Sequence, residues 1–379
     1  MRREPGRLRE NGRLKGGLSP GDTVLALARE AGFHRAGMAD PRFLVPLGQR
    51  ARAMGAQGFL THEAFDGLEW DWLFEPERWS GSHSILICCL SCARHEPDDL
   101  SSPGDPHALI APFARAHYYG TVMGMLRRLA GRLGEEMGIP RGCIRLFSNS
   151  RIPEKPLLVS TGIAAYGRNG LAFVPGLGSL FVIGGAVIPR PSAELQPAGQ
   201  PRANDPCGSC RRCMSACPAG AITEPGVVDP GRCLQGNAGS AVTLEPPAME
   251  LWGARLYGCQ ECQAVCPHNR ALTEEAPPAA GELGPSVSLR RVLSLDAGGL
   301  KEWFRGTAMG MSWVAGNALL RNAIIAAGNR GDPAVRSEVE RFTASGEPLL
   351  RKTALWAMGK LSAGGRRSEP SPCPHPYRR

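Results

Sequence analysis

Eight cysteines between residues 207 and 267 constrain this chain more than any other feature. The first run is Cys207-Gly-Ser-Cys210-Arg-Arg-Cys213-Met-Ser-Ala-Cys217-Pro218, or C-x2-C-x2-C-x3-C-P. The second, Cys259-Gln-Glu-Cys262-Gln-Ala-Val-Cys266-Pro267, repeats the later half of that spacing, and Cys233 stands alone between them. Eight thiolates satisfy two [4Fe–4S] cubanes at four ligands each, and the short spacings let consecutive sulfurs wrap one cube. The last Cys before each Pro is carried over to the neighbouring cube. Spacing therefore predicts one cluster on Cys207, Cys210, Cys213 and Cys266. The other falls on Cys217, Cys259 and Cys262, with Cys233 completing it. Disulfides and zinc are the competing readings. No secretory signal is present and C-x2-C pairs strain as bridges. Zinc sites use C-x2-C but rarely the whole C-x2-C-x2-C-x3-C-P run, and ligand softness alone does not separate the metals.

A chain of 379 residues, 42% hydrophobic and 21% charged, is long enough for two or three globular domains. No apolar run reaches the length that crosses a bilayer; the longest, about Leu180 to Pro189, is broken by Gly184 and Gly185. Arg2-Arg3 is not followed by a hydrophobic segment. The expected compartment is the cytoplasm, with no membrane partner, where thiolates stay reduced. The net charge of +9 is uneven: residues 1–18 and 366–379 together supply +7 of it. Residues 286–360 hold eleven basic against six acidic side chains. Such a face either is simply solvated or attracts a phosphate backbone.

Residues 1–18 lack apolar periodicity and are expected to be a disordered basic tail. From Asp22, which can cap a first helix ending at Gly32, strands and helices alternate to about residue 192. Phe33 to Met38, Ser84 to Leu90, Ile144 to Phe147 and Leu180 to Ile188 read as strands. Tyr119 to Met137 reads as a long helix with Val122, Met125, Leu126, Leu129 and Leu133 on its apolar face. Trp70, Trp72, Phe74 and Trp79 are expected in a core, although a flat cofactor would be lined the same way. Cys88, Cys89 and Cys92 lack cluster spacing and read as buried small hydrophobes. The expected fold is an α/β domain over 19–192, then a dicluster ferredoxin-like domain over 193–275, reached through the Pro-rich stretch Pro189 to Pro206. An Ala/Pro/Gly linker, Glu274 to Gly284, leads to a helical domain over 285–362, and 363–379 is a second disordered tail. Two A-x-G helix ends, at Gly328 and Gly359, lie 31 residues apart. They read as a pair of HEAT-type units or as two unrelated amphipathic helices.

Taken in this order the parts resemble epoxyqueuosine reductase, the cobalamin-dependent family of the queuosine tRNA-modification pathway. The resemblance spans about residues 20–360. It is close at Cys207–Pro218, at Tyr257-Gly-Cys-Gln-Glu-Cys-Gln-Ala-Val-Cys-Pro-His-Asn269, and at Leu319-Leu-Arg-Asn322 with Gly328-Asn329. In the N-terminal half, Phe113-Ala-Arg115 looks like the family's Y-A-R. Gly162 through Asn169 looks like its G-x-G-W-I-G-K-N turn, with Tyr166, Gly167 and Arg168 in place.

The resemblance implies an oxidoreductase carrying two [4Fe–4S] clusters and a cobalamin that has no lower base ligand. The corrin would lie over the α/β domain beside one cluster, with Tyr119, Asn149, Gly167, Arg168 and Asn169 binding it. Electrons from a low-potential donor such as a ferredoxin or flavodoxin would pass through the clusters to cobalt, and the epoxide of epoxyqueuosine in tRNA would become an alkene. The HEAT-like units and the cluster domain would hold the anticodon stem-loop, with Arg321, Arg336, Arg351 and Lys352 on phosphates. A monomer is expected.

The sequence departs from the family at the proton donor. The family's Asp in F-V-D-S, its catalytic acid, falls at Asn149 in Phe147-Ser-Asn149-Ser150, and the following loop is one residue shorter. Asn donates a hydrogen bond but cannot deliver a proton. The family's D-Y-H reads Tyr118-Tyr119-Gly120 here, so Glu154 or Tyr119 would have to compensate. Two further readings fit the same residues: a corrinoid iron–sulfur reductase with another substrate, and a two-cluster electron-transfer protein.

Overall fold

The computed structural model describes residues 18–56, 73–94, 99–197, 204–272 and 281–363. The two expected tails, apart from Leu18 and Ala363, lie outside the described residues, as do Trp70, Trp72, and much of both linkers. Seven strands matter to the architecture. They are β1 (Arg35–Met38), β2 (Ser84–Ser91), β3 (His107–Ile110), β4 (Arg145–Phe147), β5 (Phe181–Ile188), β6 (Arg255–Tyr257) and β7 (Ser286–Ser288).

The main sheet has the order β1-β2-β5-β4, and its central strands are apolar because both faces are covered. All eight residues of β2 are buried. Leu86, Cys88 and Leu90 point to one layer, against Val24 and Leu27 of the helix Pro20–Glu30 and Val122, Leu126 and Leu129 of the helix Tyr118–Met137. Ile85, Ile87 and Cys89 point the other way, against Leu44, Trp79, Leu157 and Leu158. Period-two alternation thus divides one apolar run between two cores. Cys88 and Cys89 are fully buried as expected, one on each face. Phe74 and Trp79 are core residues too. The α/β expectation needs one correction: every pairing in this sheet is antiparallel. The alternation of strand and helix is real, but it does not come from parallel crossover units.

Gly184 brings the long helix down onto β5, and Gly185 makes room for the Phe147 ring. A Cβ on Gly184 would run into Val122 and lie 3.0 Å from the Phe147 carbonyl oxygen. One on Gly185 would strike the Phe147 ring and the Leu86 carbonyl.

A second sheet, ordered β6-β3-β7, was not legible in the sequence. Its strands are three or four residues long, shorter than any periodicity can reveal. β3 pairs in parallel with β6 and antiparallel with β7. It therefore leaves the first domain and enters the core of the C-terminal half, where Ala108 and Ile110 pack with Trp252, Leu256 and Leu319. That core is closed by the helices Leu289–Ser294, Ala297–Trp303, Gly316–Arg330 and Pro348–Ala363. The last two pack closely because Gly328 has no side chain: a Cβ there would sit 3.0 Å from Ala357 Cα. Gly359 has open space, so the two A-x-G ends are not equivalent in packing.

Replacing Gly184 by Val should lower stability by about 1–3 kcal/mol through overpacking against Val122. The change would be seen as a lower urea midpoint at unchanged slope; an unaltered midpoint would contradict the packing described.

Candidate active site and metal centres

Two neighbouring cavities are lined by the eight cysteines. The smaller, about 60 Å³, is lined by Cys207, Cys210, Cys213 and Cys266, and also by Cys262. The larger, about 650 Å³, is lined by Cys217, Cys233, Cys259 and Cys262 and continues to the end of β5. Among the described residues no three His, Cys, Asp or Glu side chains stand close enough to grip a single metal ion. The sulfurs line the walls of two volumes instead.

The electrostatics of these thiols demand a cation. Burial pushes Cys207, Cys213 and Cys259 above the ordinary thiol range, and carries Cys262 up to about 12. Neighbouring thiolates add to it: Cys266 on Cys207, Cys207 and Cys210 on Cys213, Cys233 on Cys259, and Cys259, Cys213 and Cys233 on Cys262. Metal binding replaces the protons on such thiols and so favours their ionised form. Backbone donors already wait for the charge, with Arg168 N–H 3.4 Å from Cys207 Sγ and Ala221 N–H 3.2 Å from Cys217 Sγ.

The segment carrying the ligands is built from four-residue helices, Arg212–Ser215, Leu234–Asn237, Glu261–Ala264 and Pro267–Arg270. Buried amides fasten it to the first domain. Asn269 accepts the Ser179 N–H at 2.8 Å and donates to Ser179 Oγ and the Gln263 carbonyl. Gln263 Nε2 donates to the Ser179 carbonyl at 2.8 Å. Gln235 accepts the Cys259 N–H at 3.2 Å and also lines the large cavity.

Tyr119, Asn149, Glu154 and Lys155 line the large cavity together with the cysteines. Asn149 is the one non-glycine among the described residues with a positive φ, 50°, a conformation Asn tolerates better than most. Backbone N–H groups of Asn149 and Ser150 donate to the Glu154 carboxyl. Its Oε1, however, is buried with no hydrogen-bond partner among the described residues. Burial raises the Glu154 pKa to about 7 despite those two donors. Tyr119 is likewise raised, first by burial and then by the charges of Tyr257 and Glu154. Its ring packs edge-on to the half-exposed Trp313, with centroids 6.2 Å apart. Burial lowers the Lys155 pKa, and the Cys233 thiolate opposes that shift. Cys92, read as an inert core thiol, is buried, pushed up to about 12, and forms part of the same wall.

Of the five expected corrin contacts, Tyr119, Asn149 and Asn169 line the large cavity. Gly167 and Arg168 do not; they face the smaller one. The turn reaches past the cavity because it is tied to the cluster segment. The Arg168 carbonyl accepts the Gly226 N–H, and its guanidinium donates to the Gly208 carbonyl. Asn169 borders both cavities and hydrogen-bonds the Cys262 thiol, opposing part of the rise that burial imposes on it.

The four expected phosphate contacts also divide. Arg321 is 0% exposed and is not available to RNA. Its guanidinium donates to the carbonyls of Asn237, Ser240 and Val242 and to Asn322 Oδ1, all within 2.8 Å, and lies over the Trp252 ring. Asn322 donates to the Ala238 and Leu256 carbonyls, and Asn329 to those of Met249 and Gly253. The Leu-Leu-Arg-Asn and Gly-Asn motifs therefore clamp the cluster segment onto the helices. Arg336, Arg351 and Lys352 are exposed. Lys352 pairs with Glu245 at 2.8 Å, and Arg336 and Arg351 bond Ser362 Oγ and the Ser345 carbonyl.

Comparison with known proteins agrees with this geometry. Residues 206–269 match the 4Fe-4S double cluster binding domain, which settles iron–sulfur clusters against zinc and disulfides. An epoxyqueuosine reductase of Listeria monocytogenes is 33% identical over 213 residues, 55% of this chain and 53% of the relative. The match thus spans about half the length of that relative. One from Vibrio cholerae is 27% identical over 350 residues, covering 87% and 89% of the two chains. A solved epoxyqueuosine reductase holding an epoxyqueuosine-modified tRNA-Tyr stem loop superposes with a TM-score of 0.76 at 23% identity, covering 90% and 89%.

Arg321→Leu should lower stability by about 3–5 kcal/mol, because it leaves several buried carbonyls unpaired. A surface phosphate ligand would change it by no more than about 0.5 kcal/mol. Anaerobic chemical denaturation separates the two.

Proposed function

Because the chain belongs to the epoxyqueuosine reductase family, we propose that it removes the epoxide oxygen of epoxyqueuosine in a tRNA anticodon stem-loop. The carrying observation is that one cavity is lined both by Cys217, Cys233, Cys259 and Cys262 and by Tyr119, Asn149 and Glu154. An electron source and a proton-bearing side chain thus share one volume. We assign one cluster to Cys207, Cys210, Cys213 and Cys266, and the second to the cysteines of the large cavity. The first is the entry point for electrons from a ferredoxin or flavodoxin.

The residues present fit a corrin. Leu180, Phe181, Val182 and Ile183 contribute apolar lining, and no histidine is found among the described lining residues, so these residues would supply no imidazole ligand to the metal. A cobalamin bound there supplies the redox chemistry at a carbon–oxygen bond that side chains lack. Asn169, touching both cavities, holds the cluster wall at a fixed distance from it. Asn149 is placed to hydrogen-bond the substrate.

The RNA reading rests on the rim. Trp313, 49% exposed, offers an aromatic face beside Tyr119 on which a splayed base can stack. Arg336, Arg351 and Lys352 are the phosphate contacts, on helices we read as HEAT-type units. We take the working boundaries as 19–192, 193–275 and 285–362, with β3 lent to the C-terminal core, and the working form as a cytoplasmic monomer. No helix among the described residues is long and apolar enough to cross a membrane.

A second reading, a corrinoid reductase acting on another substrate, is favoured by one observation: Asn149 stands where the family places its acid. Anaerobically reconstituted protein given cobalamin, a chemical reductant and an epoxyqueuosine-containing tRNA-Tyr stem-loop decides between them. Queuosine in the nucleoside digest is the expected product. Corrin uptake without queuosine supports the second reading, and no corrin uptake overturns both.

A further inference from the structure

We propose that Glu154 is the proton donor to the departing epoxide oxygen, doing from the start of the helix Glu154–Ser160 what Asn149 cannot. The inference rests on the reductase reading above. Three features of the site carry it. Glu154 lines the large cavity beside Asn149 and Tyr119. Its Oε1 is buried and has no hydrogen-bond partner among the described residues, although buried carboxyl oxygens are normally satisfied. The backbone N–H groups of Asn149 and Ser150 hold the carboxyl, which fixes the group in the cavity wall. Asn149 thus serves as the anchor of the acid: its left-handed backbone is the turn from which Asn149 and Ser150 supply those N–H groups.

The reaction balances with this assignment. Both carbon–oxygen bonds of the epoxide break, one carbon–carbon double bond forms, and oxygen leaves as water. Two electrons enter singly from the low-potential donor through the clusters. Glu154 gives its proton to the oxygen as it leaves carbon; solvent supplies the second proton and restores the acid.

The titratable groups around Glu154 are compatible with a held proton. Tyr119 faces it from the helix Tyr118–Met137, and burial keeps that phenol neutral. Lys155 points its Nζ to the Gly170 carbonyl, 3.5 Å away. Glu261 lies on the cavity wall contributed by the cluster segment. A carboxyl whose pKa is raised to about 7 is protonated below that pH and loses its proton above it. Turnover should therefore fall about tenfold per pH unit above about 7.

Glu154→Gln keeps the shape and the amide hydrogen bonding while removing the proton. It should lower turnover of the epoxyqueuosine stem-loop on the order of 100-fold or more and abolish the alkaline limb. Cobalamin affinity by absorbance and iron content should not change, which separates a proton donor from a corrin-binding or structural residue. Glu154→Asp should restore part of the rate together with the limb. A Gln variant within threefold of the parent, with the same pH profile, overturns the proposal. Should the parent itself not convert that RNA, the reductase reading falls, and infrared titration decides the rest. A protonated-carboxyl band that titrates near pH 7 and vanishes in Glu154→Gln supports a proton held at Glu154; a spectrum without such a band overturns it.

Discussion

Four thiolates cannot share a buried pocket unless positive charge lies among them, and the middle of this chain is arranged around that requirement. The ligand segment has little core of its own. The helices that carry or adjoin its cysteines are four residues long, and between residues 204 and 240 Ala221, Ile222, Leu234 and Ala238 are its buried apolar side chains. A piece of chain so poor in apolar burial gains its order from metal ligation, where binding energy becomes folding energy. Burial first, and repulsion from neighbouring sulfurs second, raise the pKa values of Cys207, Cys213, Cys259 and Cys262, and positive charge among the sulfurs relieves both.

Side-chain amides then make the segment rigid relative to both of its neighbours. Asn269 and Gln263 hold it to the turn before β5, Asn169 reaches it from the first domain, and Arg321, Asn322 and Asn329 hold its carbonyls from the helical side. The second sheet has the same effect at the level of the backbone, since β3 binds β6 and β7 together. These contacts tie the walls of the large cavity to the segment that carries the cysteines.

The sequence disclosed the parts of this arrangement that are local. Cysteine spacing predicted two ligand sets; two cavities stand beside the sulfurs, with Cys262 lining both. The SILICCL strand was legible because continuous burial leaves a continuous apolar run. What stayed hidden is non-local. The antiparallel pairing of β2 with β5 joins residues roughly a hundred positions apart, and three-residue strands carry no period. Arg321 looked like a phosphate ligand because an arginine in a basic helix is usually solvated; only the structure shows the carbonyls of Asn237, Ser240 and Val242 around it. Glu154 was visible as one carboxylate in a loop, but its unpaired oxygen follows from burial, which composition does not report.

Iron and acid-labile sulfide in anaerobically purified protein, with and without Cys233→Ala, test the central claim most directly. Two cubanes on the two thiol sets give about eight of each per chain, falling to about four in the variant as the cluster on the large cavity is lost. Far fewer than eight in the parent, or an unchanged count in the variant, would contradict the division of sulfurs on which the electron path depends.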